Sequence, residues 1–314
     1  MSEDISLWFE KYRPSCLEEC ILPKAMMKIF KGYVEKKEMP NLMLTGFQGT
    51  GKTTLAKVMV KELNADSMFV DCSTDNGKAM IETQVVPFAS TMSLGNQESV
   101  KIIICDEADG LSAAAQKSFR PIIEKYALTT RFIFTANYPE KIIPALKSRC
   151  ACFDFSQKKT EKPQMMAATM KRCKHILDDN KIKYDAKVLG MFIAKWHPDF
   201  RRILNELQSY ATGNGAIDEG ILTAGTKNDI ADQLYPLILA SEFTKCKQWV
   251  ADSIDSPEDI FAALYNRMND YVKPEHQSEC IIQLAAYQEY SSHVMNQQIN
   301  TMALLVELMN TIGG

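Results

Sequence analysis

Residues 45–54 read Thr-Gly-Phe-Gln-Gly-Thr-Gly-Lys-Thr-Thr, and no other stretch restricts the fold of this chain so strongly. Residues 46–53 satisfy the spacing G-x-x-x-x-G-K-[ST] at every fixed position. An apolar run, 41–45, precedes the loop, and a helical run over about 51–63 follows it. Glycine admits backbone angles and close approaches that a side chain forbids. Between a strand and a helix, that freedom turns successive N–H groups inward onto a phosphate, and the helix N-terminus adds its partial positive charge. Lys52 supplies a point charge for β- and γ-phosphates, and Thr53 offers a hydroxyl to Mg²⁺.

The surroundings of the loop fit an α/β fold with a parallel sheet. Short apolar runs at 41–45, 67–71, 100–105, 131–136 and 151–155 alternate with helical stretches. Runs of about five apolar residues between helices read as buried parallel strands. Ser112 is placed to cap the helix that follows the third run. Beyond Ser156 the strand signals stop. Residues 157–164 are polar, and Pro163 suits a first helical turn. A second polar joint, 225–232, separates two groups of helices. In the last helix Ile299, Met302, Leu305, Met309 and Ile312 recur at steps of three or four, predicting one apolar stripe. The expected layout is a nucleotide-binding core over 1–156, a helical lid over 157–226 and a second helical domain over 227–314.

Acidic and amide residues close the strands. Asp106 ends the apolar run of "KIIICDEAD" (101–109) and is the expected Mg²⁺ ligand. Glu107 is placed to orient and deprotonate a water that attacks the γ-phosphate. Residues 106–109 spell DEAD, but the helicases of that name carry a second RecA-like domain, whereas this chain turns helical after about 156. Asn137 ends the next strand, where its amide can hold the attacking water or a γ-phosphate oxygen. Taken singly, a strand-end asparagine is a turn residue. Arg149 precedes the fifth strand, and Arg201 and Arg202 open a later helix. Taken singly, each is a solvated or salt-bridged surface arginine.

Composition excludes some partners. Net charge is −3, so any nucleic-acid contact must come from a local patch. No run of 18 apolar residues occurs and the first residues are acidic, so neither a membrane span nor a signal peptide is expected. Nine cysteines without a C-x-x-C pair read as reduced cytosolic thiols, and the scattered histidines do not suggest a zinc site. A cytoplasmic location is the corresponding expectation, in the host cell if the source is a phage.

The motifs taken together resemble one family. "WFEKYRP" (8–14) resembles the W-x-E-K-Y-R-P signature of the AAA+ sliding-clamp loader ATPase subunits. The loop, "IICDEAD", "FTAN", "SRC" and "PDFRR" follow in that family's order, over residues 8 to about 210. "CLEECILP" (16–23), "PFAS" (87–90) and "HPDFRR" (197–202) look most like the large clamp-loader subunit of T4-like bacteriophages. The resemblance implies that Lys11, Tyr12 and Ile21 bound the adenine. It implies that Gly49, Thr50, Gly51, Lys52, Thr53 and Thr54 wrap the phosphates, with Thr53 and Asp106 on Mg²⁺ and Glu107 as base. It makes Asn137 sensor 1, Arg201 the sensor 2 arginine, and Arg149 a finger acting on ATP in a neighbouring subunit. A finger in one subunit and a loop in the next form a head-to-tail interface. ATP and Mg are the implied cofactors. The implied partners are a sliding clamp, a small clamp-loader subunit, further copies of the chain in a pentamer, and primer–template DNA. The C-terminal helices become an oligomerising collar. Val86, Phe88 and Met92 are candidates to meet the clamp, and Lys78, Lys117 and Arg120 to face DNA. Two other readings stay open here: a different AAA+ DNA machine, such as a helicase loader or branch-migration motor, and a structural subunit that binds no ATP.

Overall fold

All five apolar runs become strands of one parallel sheet: β1 (Leu42–Thr45), β2 (Ser67–Asp71), β3 (Lys101–Asp106), β4 (Thr130–Ala136) and β5 (Ala151–Asp154). Their order is β2-β3-β4-β1-β5. This computed structural model describes residues 7–74, 77–91, 101–156, 160–224, 230–253, 257–291 and 294–313. The chain divides into two compact units, Met1–Asp218 and Glu219–Gly314.

The sheet is buried on both faces by strict alternation. Leu42, Leu44, Ile102, Ile104 and Ile133 join Phe30, Leu55 and Met59 in one apolar layer. Met43, Ile103, Cys105, Phe132 and Phe134 join Leu111 and Phe119 in the other. Uninterrupted apolar runs are what a doubly covered parallel sheet needs. The edge strands β2 and β5 keep polar or exposed alternate positions instead. Thr45 is level with Ala136 and Asp154, and Asp71 with Asp106. The carboxyl ends of the strands therefore finish together, where open α/β sheets hold their ligands.

Helices cover the sheet as the pattern predicts. Helix Lys52–Glu62 buries Leu55, Ala56, Val58 and Met59. Helix Ala113–Lys125 starts under Ser112, whose hydroxyl accepts from the Ala115 amide. The segment at Lys78–Ser90 is helical, with a π turn over Ile81–Val85.

Three longer helices complete the first unit: Lys162–Asp179, Ala186–Trp196 and Phe200–Asn214. Pro163 sits in the first turn of Lys162–Asp179. Asp185 and Asp199 cap the other two by accepting backbone amides. This region is not purely helical. Two-residue strands, β6 (Lys183–Tyr184) and β7 (Ala216–Ile217), pair in parallel. Each lies just outside a helix end, and the pairing satisfies backbone groups that a bare connection would leave open. A run of two residues is too short to carry a periodicity, so the sequence does not announce it.

The second unit is helical among its described residues: Gly220–Ala224, Ile230–Leu239, Phe243–Ser253, Pro257–Tyr271, Pro274–Ser291 and Gln297–Ile312. Leu234, Tyr235, Ile238, Leu264, Leu304, Leu305 and Leu308 form its core. The Tyr235 hydroxyl donates to the Leu264 carbonyl at 2.7 Å. The expected stripe on the last helix is rotated. Leu305 and Met309 are buried, but Thr301, Leu304 and Leu308 share the core face, while Ile299 is 68% exposed. A helix this apolar offers more than one stripe, and packing against its neighbours selects among them.

Candidate functional site

The loop after β1 turns at the sheet's carboxyl edge, where the Gly46 amide donates to Ala136 O of β4 at 3.2 Å. Gly49 and Gly51 take φ of +72° and +92°, the left-handed region that glycine enters without a Cβ clash. Gly51 is the N-cap of the following helix, and Lys52 is its first residue. The Lys52 ammonium is buried under the loop. It donates to Gly46 O at 2.6 Å, Phe47 O at 2.7 Å and Asn137 Oδ1 at 2.8 Å. Burial pulls its pKa down to about 8, against the opposing pull of Asp109, Asp106 and Glu107. Lys52 and Asn137, 85 residues apart, are thus one hydrogen-bonded pair.

The two acids sit beside them. Asp106 Oδ1 accepts from Thr53 Oγ1 and from Thr135 Oγ1, both at 2.6 Å. The amide of Glu107 donates to the same Thr135 hydroxyl at 3.0 Å. Thr135 is buried, and it holds both acids in place. Glu107 takes φ of +52°, which turns its side chain out of the strand's alternation. Partial dehydration of its carboxyl, then the charges of Asp106, Asp71 and Asp109, push Glu107 above the usual carboxylate range. Asp109 Oδ2 accepts from the amides of Asn137 (3.2 Å) and Tyr138 (3.0 Å) and fixes the turn that carries Asn137. Thr135 lies within FTAN and Asp109 within IICDEAD, but the motif reading gives neither a role. The signal for each was a polar residue inside or just beyond an apolar strand.

The far wall comes from the helices after β5. The Phe200 amide donates to Gly49 O at 3.1 Å. Asp199 Oδ1 accepts from the Arg202 amide at 2.9 Å and lies against Gly49, so a Cβ there would come within 1.8 Å of it. Arg201 lines the cleft, its guanidinium 5.8 Å from the Phe9 ring centre. Arg202 instead stacks on Trp196 at 3.6 Å.

Of the expected site residues, Tyr12, Ile21, Gly49, Thr50, Gly51, Lys52, Thr53, Thr54, Glu107, Asn137 and Arg201 line a single cleft. Asp106 joins them through Thr53. Two expected residues are placed elsewhere. Lys11 does not line the cleft, for its amine donates to the Tyr12 hydroxyl at 2.9 Å and pairs with Asp179 at 3.6 Å. Neighbours at the end of one short helix point in different directions. Arg149 donates to Glu124 Oε1 at 2.5 Å and to Ala145 O at 2.8 Å, and borders a separate hollow with Lys28, Tyr33 and Arg131. The cleft adds Arg13, Cys20, Met165, Thr169 and Arg172 to the expected set. Arg13 Nη1 donates to Thr54 Oγ1 at 3.2 Å, linking the N-terminal segment to the loop's helix.

Val86 and Phe88 are half-buried against the sheet's core, and Met92 lies outside the described residues. Lys78 pairs with Glu82 at 3.3 Å and Arg120 with Glu124 at 3.7 Å, while Lys117 is exposed. Among the described residues no helix is long and apolar enough to cross a membrane.

Oxygen donors fit a hard cation at Thr53 and Asp106, and the Lys52 ammonium at the N-terminus of its helix, behind a glycine loop, fits a phosphate. Residues 42–159 match the model of the AAA family of ATPases associated with various cellular activities. Residues 161–223 match the lid domain of the sliding-clamp-loader large subunit, an AAA+ ATPase. Residues 1–73 match the Rad17 P-loop domain. The replication factor C small subunit of Methanococcus vannielii is 31% identical over 96% of this chain and 98% of its own length. That of Sulfurisphaera tokodaii is 30% identical over 98% and 96%. That of Staphylothermus marinus is 34% identical over 77% and 74%. A solved point mutant of Thermotoga maritima RuvB shares the fold, with a TM-score of 0.53 and 18% identity over 72% of this chain and 80% of its own. An ATP-hydrolysing P-loop core followed by a clamp-loader lid is thus shared with replication factor C small subunits over nearly their whole length, and the chain belongs to the AAA+ clamp-loader ATPase family that includes them.

Proposed function

We propose that this chain is a motor subunit of a sliding-clamp loader, using ATP binding to hold an open clamp and DNA-triggered hydrolysis to release it on primer–template DNA. The observation that carries the chemistry is the convergence of Lys52 with Asn137, and of Thr53 with Asp106, on one sheet edge beside Glu107. In this reading residues 49–54 wrap the phosphates and Lys52 meets the γ-phosphate. Asn137, held by Lys52 and by the Asp109 turn, orients the water, and Glu107 takes its proton. Its raised pKa suits a base that must accept one. Thr53 and Asp106 would hold Mg²⁺, which would neutralise phosphate charge there. Tyr12 and Ile21 border the adenine, and Lys11 acts through Tyr12 rather than on the base. Arg201 senses the phosphates from the lid. Arg149 acts on ATP in a neighbouring subunit, and its place outside the cleft of its own chain supports that role.

Core, lid and collar divide at about 156 and 226. The collar assembles further copies and a small clamp-loader subunit into a pentamer. Val86 and Phe88 meet the clamp, and Lys78, Lys117 and Arg120 face DNA phosphates, each basic residue surrendering its present acidic partner where it has one. The match of 161–223 to the large-subunit lid supports a phage-type large subunit, and hence the host cytoplasm, although the relatives above are archaeal. The test is steady-state ATP hydrolysis by the chain co-purified with its partners. Clamp plus primer–template DNA should raise turnover, and the DNA effect should fall with salt because the contacts are to phosphates. Turnover indifferent to both additions would sink the loader reading.

A further inference from the structure

The lid helix Lys162–Asp179 grips Tyr12 at two places, two turns apart. Arg172 Nη2 donates to the Tyr12 carbonyl at 3.1 Å and lies 3.7 Å from Glu19. At the helix end, the Tyr12 hydroxyl donates to Asp179 and accepts from Asn180 Nδ2 at 2.7 Å. Residues seven apart share a helix face, so Arg172 and Asp179 approach Tyr12 from one side. Asp179 is held below the ordinary carboxylate range, first by the phenol and then by Lys11. The next residue, Arg13, reaches Thr54 on the helix of the phosphate loop. The segment 8–14 is thus a strap with one side on the loop and the other on the lid. The Tyr12 side chain lines the cleft while its hydroxyl leaves it.

These contacts separate two jobs within one residue. A ring at the cleft wall can pack against a base and needs no hydroxyl to do so. The hydroxyl is spent outside the cleft: on the lid it donates to the ionised Asp179 carboxylate and accepts from the Asn180 amide, and Lys11 of its own strap donates to it as well. Bonds to charged groups are stronger than neutral ones. We propose that the Tyr12 phenol is a latch: it positions the lid over the cleft and sets how fast a bound nucleotide leaves. The proposal rests on the nucleotide reading above, and Tyr12 is here a positioning residue rather than a catalytic one.

The test is a double-mutant cycle on the full chain. One arm is Tyr12→Phe, which keeps the ring and removes the hydroxyl. The other is Asp179→Ala with Asn180→Ala, which removes both of the hydroxyl's lid partners. Release of ribose-labelled fluorescent ADP is followed by stopped flow, with melting temperatures as a check on folding. Each arm should speed release about tenfold or more, and Tyr12→Phe should add nothing further once both lid partners are gone. Additive effects, or unchanged release in Tyr12→Phe, would overturn the latch. Hydrogen exchange on the nucleotide-free protein gives a second readout that does not need nucleotide. Amides of residues 172–180 should exchange faster in Tyr12→Phe, and unchanged protection there overturns the latch even if release is altered. Failure of the unmodified chain to bind the labelled ADP overturns the nucleotide reading, and the release role with it. Faster exchange in Tyr12→Phe would then still support the lid contact.

Discussion

Gly49→Ala tests the seat of the lid on the phosphate loop. The substitution acts twice. First, an L-residue at φ +72° is strained by about 1–2 kcal/mol. Second, the new Cβ would stand 1.8 Å from Asp199 Oδ1 and 2.6 Å from its Cγ, so the carboxylate must leave. Asp199 caps helix Phe200–Asn214 through the Arg202 amide, and a lost cap costs about 1 kcal/mol. Gly49→Ala should therefore destabilise by roughly 2–3 kcal/mol. Asp199→Ala alone loses only the cap, about 1 kcal/mol. In the double variant the cap is lost once, not twice. The combination should then fall short of the sum of the single effects by about 1 kcal/mol. The assay is urea unfolding of all four proteins without nucleotide, read at the transition of the first unit. Additivity within about 0.3 kcal/mol would show that Asp199 and Gly49 do not meet, and would refute the reasoning.

Four further expectations follow from the same geometry. Glu107→Gln should keep ATP binding but slow hydrolysis by about a hundredfold or more, as loss of a general base does, and wild-type turnover in this variant would remove Glu107 from that role. Because its pKa is raised on folding, Glu107 contributes stability that is present below the ordinary carboxylate pKa and lost as pH rises through the folded value; the Gln variant should therefore gain on wild type in melting temperature between acid and neutral pH. Lys52, with its pKa drawn down to about 8, should take up about half a proton when ATP binds at pH 8 and almost none at pH 6, measurable by calorimetry in buffers of differing ionisation enthalpy. Subunits carrying Lys52→Ala mixed with subunits carrying Arg149→Ala should recover part of the lost hydrolysis if Arg149 serves a neighbour, and a mixture as inactive as each variant alone, despite subunit exchange, would count against a finger in trans.

What the sequence made legible was what is local. The loop, the acid pair and Asn137 each close an apolar run, so their shared edge followed once the strands were parallel. Ser112 and Pro163 were readable because caps and first turns depend on neighbouring residues alone. The runs did not show which strand residue faces which core layer, since Ile102, Ile103 and Ile104 carry no alternation to read. Met165, Thr169 and Arg172 were invisible because their helix enters the site only through tertiary packing. Gly49 lies between the two cases. Its spacing marks it as a phosphate-loop glycine, which explains its backbone angle. Nothing in that spacing reveals Asp199, 150 residues later in the chain, pressed where a Cβ would stand. The same glycine therefore answers to two constraints, one written in the loop and one in the lid. Removing Asp199 relieves only the second and forfeits its cap, which is why the double variant should be about as unstable as Gly49→Ala alone.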